Sequence, residues 1–134
     1  MLTKLLERRG LMAERRRVFE TQRVGDTLVL SPRGDSLGVE ERELRNEIDA
    51  LHQLIQKPDV VHLVVDVGSA AYFSSLVIGA VMALCQRVHE AGGRAVWCNA
   101  SPGMYDVLQI MKLDTVMPYY RTREEALAAI RSGE

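Results

Sequence analysis

Two adjacent hydroxyls, Ser74 and Ser75, interrupt the apolar passage AAYFSSLVIGAV at residues 70–81. A serine in such a place has several kinds of chemistry open to it. It caps a helix by accepting a backbone N–H, worth about 1 kcal/mol. It acts as a nucleophile when a base and an acid orient it. It also accepts a phosphoryl group, which adds roughly −1.5 to −2 charges at pH 7 and is favoured at the positive end of a helix. The nucleophile reading lacks its partners. No GxSxG elbow surrounds either serine, and His52, His62 and His89 are dispersed along the chain. These histidines also lack metal-ligand spacing with cysteine or carboxylate, and no glycine-rich phosphate loop follows a strand pattern. The chain therefore reads as non-enzymatic, with no catalytic residue, no metal and no cofactor.

Other reactive side chains have structural readings. Cys85 and Cys98 sit in apolar contexts without paired spacing, which predicts buried thiols rather than a disulfide or metal site. Asp66 closes an apolar run, as does the phosphoacceptor aspartate of receiver domains. Those domains also need an acidic pair after the first strand and a lysine after a late one. Here the corresponding stretches are RVGDT and WCNASP, so the receiver reading fails. Asp66 is instead expected near a strand end, bonded to backbone around Gly68 and Ser69.

At 134 residues, 47% apolar and 26% charged, the chain suits one globular domain. A net charge of −1 gives no overall field to recruit nucleic acid or anionic lipid. The charge is unevenly spread, with a basic cluster in residues 1–17 and an acidic one from Asp35 to Asp49. The basic start has no hydrophobic block of a secretory signal, and the longest apolar run, LVIGAVMALC, is far short of the ~20 residues that cross a bilayer. A cytoplasmic protein is expected, with neither nucleic-acid nor membrane partners.

These side chains must be positioned by an alternating set of elements. Residues 1–16 read as a basic extension, helical through Leu2, Leu5 and Leu6. Residues 17–24 and 27–31 read as strands joined by Gly25-Asp26, a two-residue hairpin turn with glycine at its first position. Leu44, Ile48, Leu51 and Ile55 recur at helical spacing, with Ser36 as the expected cap and Pro58 beyond the end. VVHLVVDV (60–67) reads as a central strand. A helix from Ser75 to Ala91 should stop at Gly92-Gly93. RAVWCN (94–99) is a further buried strand, and Ser101-Pro102 opens a helix with Met104, Val107, Leu108 and Met111 inward. VMPYY (116–120) is a short extended piece. Thr122 and Glu125 form a capping box for a last helix with Leu127 and Ile130 inward. The predicted fold is α/β: a mixed sheet of about four to five strands, an antiparallel hairpin at its start, and about four helices.

The ordered series PRGDSLGVEE, LVVDVGSAAYFSSLVIGAV, HEAGGRAVWCNASPGMYDVLQIMKLDTVMPYY and TREEALAAI resembles the STAS domain family (sulphate transporter and anti-sigma factor antagonist). The resemblance covers residues 17–131 as the domain, leaving 132–134 as a tail. It implies a module that works by binding, like the anti-sigma factor antagonists. Its implied partners are an anti-sigma factor with serine-kinase activity and a PP2C-type phosphatase. The family turn Asp-Ser-Ser-Gly-Leu aligns with Phe73, Ser74, Ser75, Leu76 and Val77. Ser74 takes the acceptor position, with Ser75 as second choice. Phe73 replaces the family aspartate and Leu76 its glycine, making the turn bulkier and more apolar. The implied partner surface comprises Phe73, Ser74, Ser75 and Leu76, with Asp35 and Ser36 from the first loop.

Two alternatives stand beside the phosphoswitch. One is a constitutive scaffold that uses the Phe73–Leu76 surface and the basic extension within a larger complex. The other is a small-ligand or nucleotide sensor, resting on fold analogy alone. Either is compatible with a homo-oligomer.

Overall fold

Extended runs on both sides of Gly25-Asp26 fold back on one another and start the sheet. The computed structural model describes residues 14–15, 18–33, 40–69 and 75–133. Its first strands are β1 (Glu14–Arg15), β2 (Phe19–Val24) and β3 (Thr27–Pro32), paired antiparallel in that order. Val24 faces Thr27 across the turn and Gly25 holds a φ of 61°, so positive φ falls where the sequence predicts it. Residues Glu14 and Arg15 were expected within a helical extension. They are extended and pair with β2, while residues 1–13, 16 and 17 lie outside the described residues.

Helix α1 (Glu41–Ile55) follows, then β4 (His62–Asp66), α2 (Ser75–Glu90), β5 (Ala95–Cys98), α3 (Pro102–Ile110), the short α4 (Leu113–Val116), β6 (Tyr119–Tyr120) and α5 (Arg123–Ser132). Strands β3 to β6 are parallel neighbours, and the six strands lie side by side in chain order. This is the expected α/β architecture with its antiparallel hairpin. The edge strand β1 and the one-turn α4 accompany the predicted elements; β6 falls within the extended piece expected at 116–120, whose first residue, Val116, instead ends α4.

Right-handed crossovers that step in one direction across a sheet place their helices on one face. Accordingly α1, α2, α3 and α4 share a face with Phe19, Leu28, Leu30, Leu63, Val65 and Trp97, and this is the main core. Helix α5 comes after the last strand and covers the opposite face, where Ala126 and Ile130 meet Val29, Val64, Val96 and Cys98.

Local signals account for most boundaries. Gly92 holds a φ of 92°; its N–H reaches the His89 carbonyl at 3.0 Å, and Gly93 N–H reaches that of Val88 at 2.9 Å. That pair of bonds is the Schellman stop of α2. Ser101 Oγ accepts from Met104 N–H at 3.2 Å with Pro102 behind it, and Thr122 Oγ1 accepts from Glu125 N–H at 3.0 Å. Two expectations are corrected. Helix α1 is capped at Glu40 without a side-chain bond, not at Ser36, because the helix begins only at Glu41. Of the predicted α3 stripe, Met104 and Leu108 are buried, one turn apart, whereas Val107 and Met111 are substantially exposed. Met111 is already the cap, and Lys112 at a φ of 59° turns the chain away.

Candidate functional site

The carboxyl ends of β4 and β5 and the start of α2 form one rim of the molecule. Strand β4 ends at Asp66, and Gly68 and Ser69 beyond it are exposed. Strand β5 ends at Cys98, followed by the exposed Asn99 and Ser101. Helix α2 begins at Ser75, so position 74 immediately precedes its first helical residue, and its first turn carries no acid. Phe73, Ser74, Asp35 and Ser36 lie outside the described residues, as does the side chain of Ser75. Leu76 is half-buried against the main core and lines a groove of about 400 Å³ between α1 and α2, with Ile48, Asp49, His52 and Ala83.

Beneath this rim lies a polar cluster. Asp66 is only 4% exposed, and both of its carboxylate oxygens are engaged. Oδ1 accepts from Gly68 N–H at 2.9 Å and from Asn99 Nδ2 at 3.1 Å. Oδ2 accepts from Arg123 Nε at 2.8 Å. Arg123 also donates through Nη1 to Gln22 Oε1 at 3.0 Å and through Nη2 to Ser31 Oγ at 3.1 Å. The expected bond from Asp66 to Gly68 is present. Its bonds to Asn99 beyond β5 and Arg123 of α5, and those of Arg123 to Gln22 on β2 and Ser31 on β3, were not foreseen.

One sequence signal singles out Arg123, though not its partners. Arg123 opens a helix whose first turn otherwise holds the acids Glu124 and Glu125, and a cation there opposes the helix dipole. Asn99 has a φ of 66°, a conformation asparagine tolerates better than most side chains. A Cβ at Gly68 would displace the Asn99 side-chain amide.

Other titratable groups serve packing. Burial pushes the Cys85 thiol up to about 12. Burial, and then the Asp66 carboxylate, push Cys98 up to about 12 as well. Both thiols are unreactive in this state. Burial and the nearby Arg87 lower the pKa of His52, against an opposing pull from Asp49. Glu47 is buried on α1 and accepts from Val18 N–H at 3.1 Å and Phe19 N–H at 3.2 Å, tying the start of β2 to that helix. Three residues after Leu44 and four before Leu51, it falls on the inner face of the helix.

Among the described residues no group of His, Cys, Asp and Glu side chains is arranged to hold a metal ion. No described helix is long and apolar enough to cross a membrane. Exposed apolar side chains gather on α3 and α4, with Ile110 80%, Val116 66% and Met111 45% exposed. Next to them a groove of about 720 Å³ runs between α2 and the β6 approach, lined by Met82, Ala83, Val116, Met117 and Pro118.

The family described as the STAS domain matches residues 18–126. Similar solved structures include an anti-sigma-factor antagonist (STAS) domain protein from Planctomyces limnophilus. It is 24% identical, covers 84% of this chain and 97% of its own, and has a TM-score of 0.70. The anti-sigma factor antagonist SpoIIAA in its unphosphorylated form is 21% identical, with 85% and 96% covered and a TM-score of 0.69. The Bacillus cell fate determinant SpoIIAA in its phosphorylated form is 20% identical, with 84% and 98% covered and a TM-score of 0.64. At these identities the likeness is one of fold. Comparison with curated proteins finds no match.

Proposed function

Because this chain belongs to the STAS domain family, we propose that it is a cytoplasmic regulatory module that binds another protein through the rim above β4 and β5. Ser74 is its switch. An anti-sigma factor with serine-kinase activity adds the phosphate, and a PP2C-type phosphatase removes it. The observation that carries this reading is the start of α2 at Ser75 with no acid in its first turn. A phosphate at position 74 would stand at the positive end of a long helix without a neighbouring first-turn carboxylate to repel it. The helix itself would tolerate the charge, so its effect falls on whatever docks over the rim. Desolvating that charge against a partner costs several kcal/mol, and each 1.4 kcal/mol is tenfold in affinity.

The test is incubation with ATP and a serine-kinase anti-sigma factor from the same cell, followed by intact mass. Wild type should gain one phosphate and Ser74→Ala none. An unmodified wild type, or equal modification of both, would overturn the switch.

A second reading is a constitutive scaffold, favoured by the exposed Ile110, Met111 and Val116 on α3 and α4. Pull-down with Ser74→Asp separates the two. Lost binding supports the switch, and unchanged binding supports the scaffold.

A further inference from the structure

We propose that Arg123 is a positioning residue for the rim. Acting through Asp66, it fixes Gly68, through which the chain leaves β4 toward the serine turn. The inference rests on reading that rim as the partner-facing surface.

The geometry runs in one direction. A carboxylate has two oxygens, and in Asp66 they face different tasks. Oδ2 is held by Arg123 Nε at 2.8 Å, while Oδ1 is left to receive Gly68 N–H at 2.9 Å and Asn99 Nδ2 at 3.1 Å. Fixing one oxygen fixes the plane of the group, and with it the direction in which the other oxygen holds the two strand ends together. Arg123 is in turn held by Gln22 on β2 and Ser31 on β3. The planar guanidinium presents donors in a rigid fork, so it can bridge three strands at once; a lysine ammonium is a single point on a flexible stem. Local helix stability does not account for an arginine here, since the first turn of α5 favours acids. The cross-strand bonds do.

Gly68 and Asn99 complete the arrangement. There is no room for a Cβ at Gly68 beside the Asn99 side chain, and Asn99 sits at a φ of 66° to bring that side chain inward. Both Gly68 and Asn99 are exposed on their outer sides. Arg123 thus reaches the partner-facing side through the buried Asp66, without standing on it.

The experiment is NMR-detected amide exchange and chemical shift on the full chain, without any partner. It compares wild type, Arg123→Gln, Arg123→Lys, Asp66→Asn and the double variant Asp66→Asn/Arg123→Gln. Val96→Ala, on the same sheet face but outside the cluster, is the reference for general loosening. In Arg123→Gln the Gly68 amide should exchange about tenfold faster, while the amides of α1 keep their protection. The Gly68 amide should also move upfield as its bond to the carboxylate weakens. The double variant should match Asp66→Asn, because Arg123 acts through that carboxylate. Arg123→Lys should fall between Arg123→Gln and wild type.

Gly68 exchange within twofold of wild type in Arg123→Gln would overturn the proposal. So would acceleration only in step with the whole chain, as in Val96→Ala. Full wild-type protection in Arg123→Lys would overturn the role of the fork. If Asp66→Asn fails to fold, Arg123→Gln decides alone. No kinase or partner enters these measurements, so their failure is distinct from a failure of Ser74 to accept phosphate.

Discussion

The two faces of the sheet are built on different principles. On one, four helices bury Phe19, Leu28, Leu30, Leu63, Val65 and Trp97 in a continuous apolar core. On the other, one helix covers a small apolar group, and the cluster centred on Asp66 and Arg123 occupies the neighbouring ground. On the thick face the indole N–H at Trp97 Nε1 has no hydrogen-bond partner among the described residues. The thin face satisfies its buried carboxylate on both oxygens. Burial is non-directional and roughly proportional to area, so it holds the thick side without fixing any one strand end. Hydrogen bonds to a charged group are directional, and they lie directly beneath the rim. Stability and presentation are thereby divided between the two faces.

Substitutions can break that division. Leu63→Ala on the thick face removes a fully buried side chain and should lower unfolding stability by about 2–5 kcal/mol in a denaturant titration. Rim amides should lose protection there only as much as the rest of the chain. Asp66→Asn should lose less, about 2 kcal/mol, because it weakens charged hydrogen bonds but leaves shape intact. A loss from Asp66→Asn as large as that from Leu63→Ala would mean that the polar cluster carries stability as well as position. Ser101→Ala removes the cap of α3 and should lower stability by about 1 kcal/mol, read as a shift in denaturant midpoint.

The smallest effect concerns pH. The pKa of His52 lies below its ordinary value in the folded chain, so the unfolded chain binds the proton more readily. Its contribution is complete above the unfolded value of about 6.5 and is lost as pH falls toward the folded one. Stability measured from pH 7.5 to 5 should decline slightly, and His52→Gln should flatten that slope. A steeper slope in the variant would assign the decline to other groups.

Much of the fold was legible because its signals are local. Gly25-Asp26, Gly92-Gly93, Ser101-Pro102 and Thr122 with Glu125 each act within a few residues of themselves, and each does so in the structure. The start of α1 at Glu41 escaped because Ser36 fits a capping pattern, whereas Glu40 holds that place without a side-chain bond. Val107 and Met111 escaped because apolar type alone did not show where α3 ends. At the rim, the short-range bond from Asp66 to Gly68 was foreseen. The bonds to Asn99 and Arg123, 33 and 57 residues away, depend on which strands become neighbours, and no local pattern carries that information.

Spatial order in the sheet repeats order along the chain, from β1 to β6. A nascent polypeptide leaving the ribosome can therefore lay each strand against the one just made, with no slot held open for a later arrival. Helix α5 is the exception, since its first residue must reach back 101 positions to Gln22. Translation arrested before Thr122 would leave Val29, Val64 and Val96 uncovered by that helix, a sticky surface of the kind chaperones and proteases select. Completion of α5 is thus the step that closes this second face of the sheet.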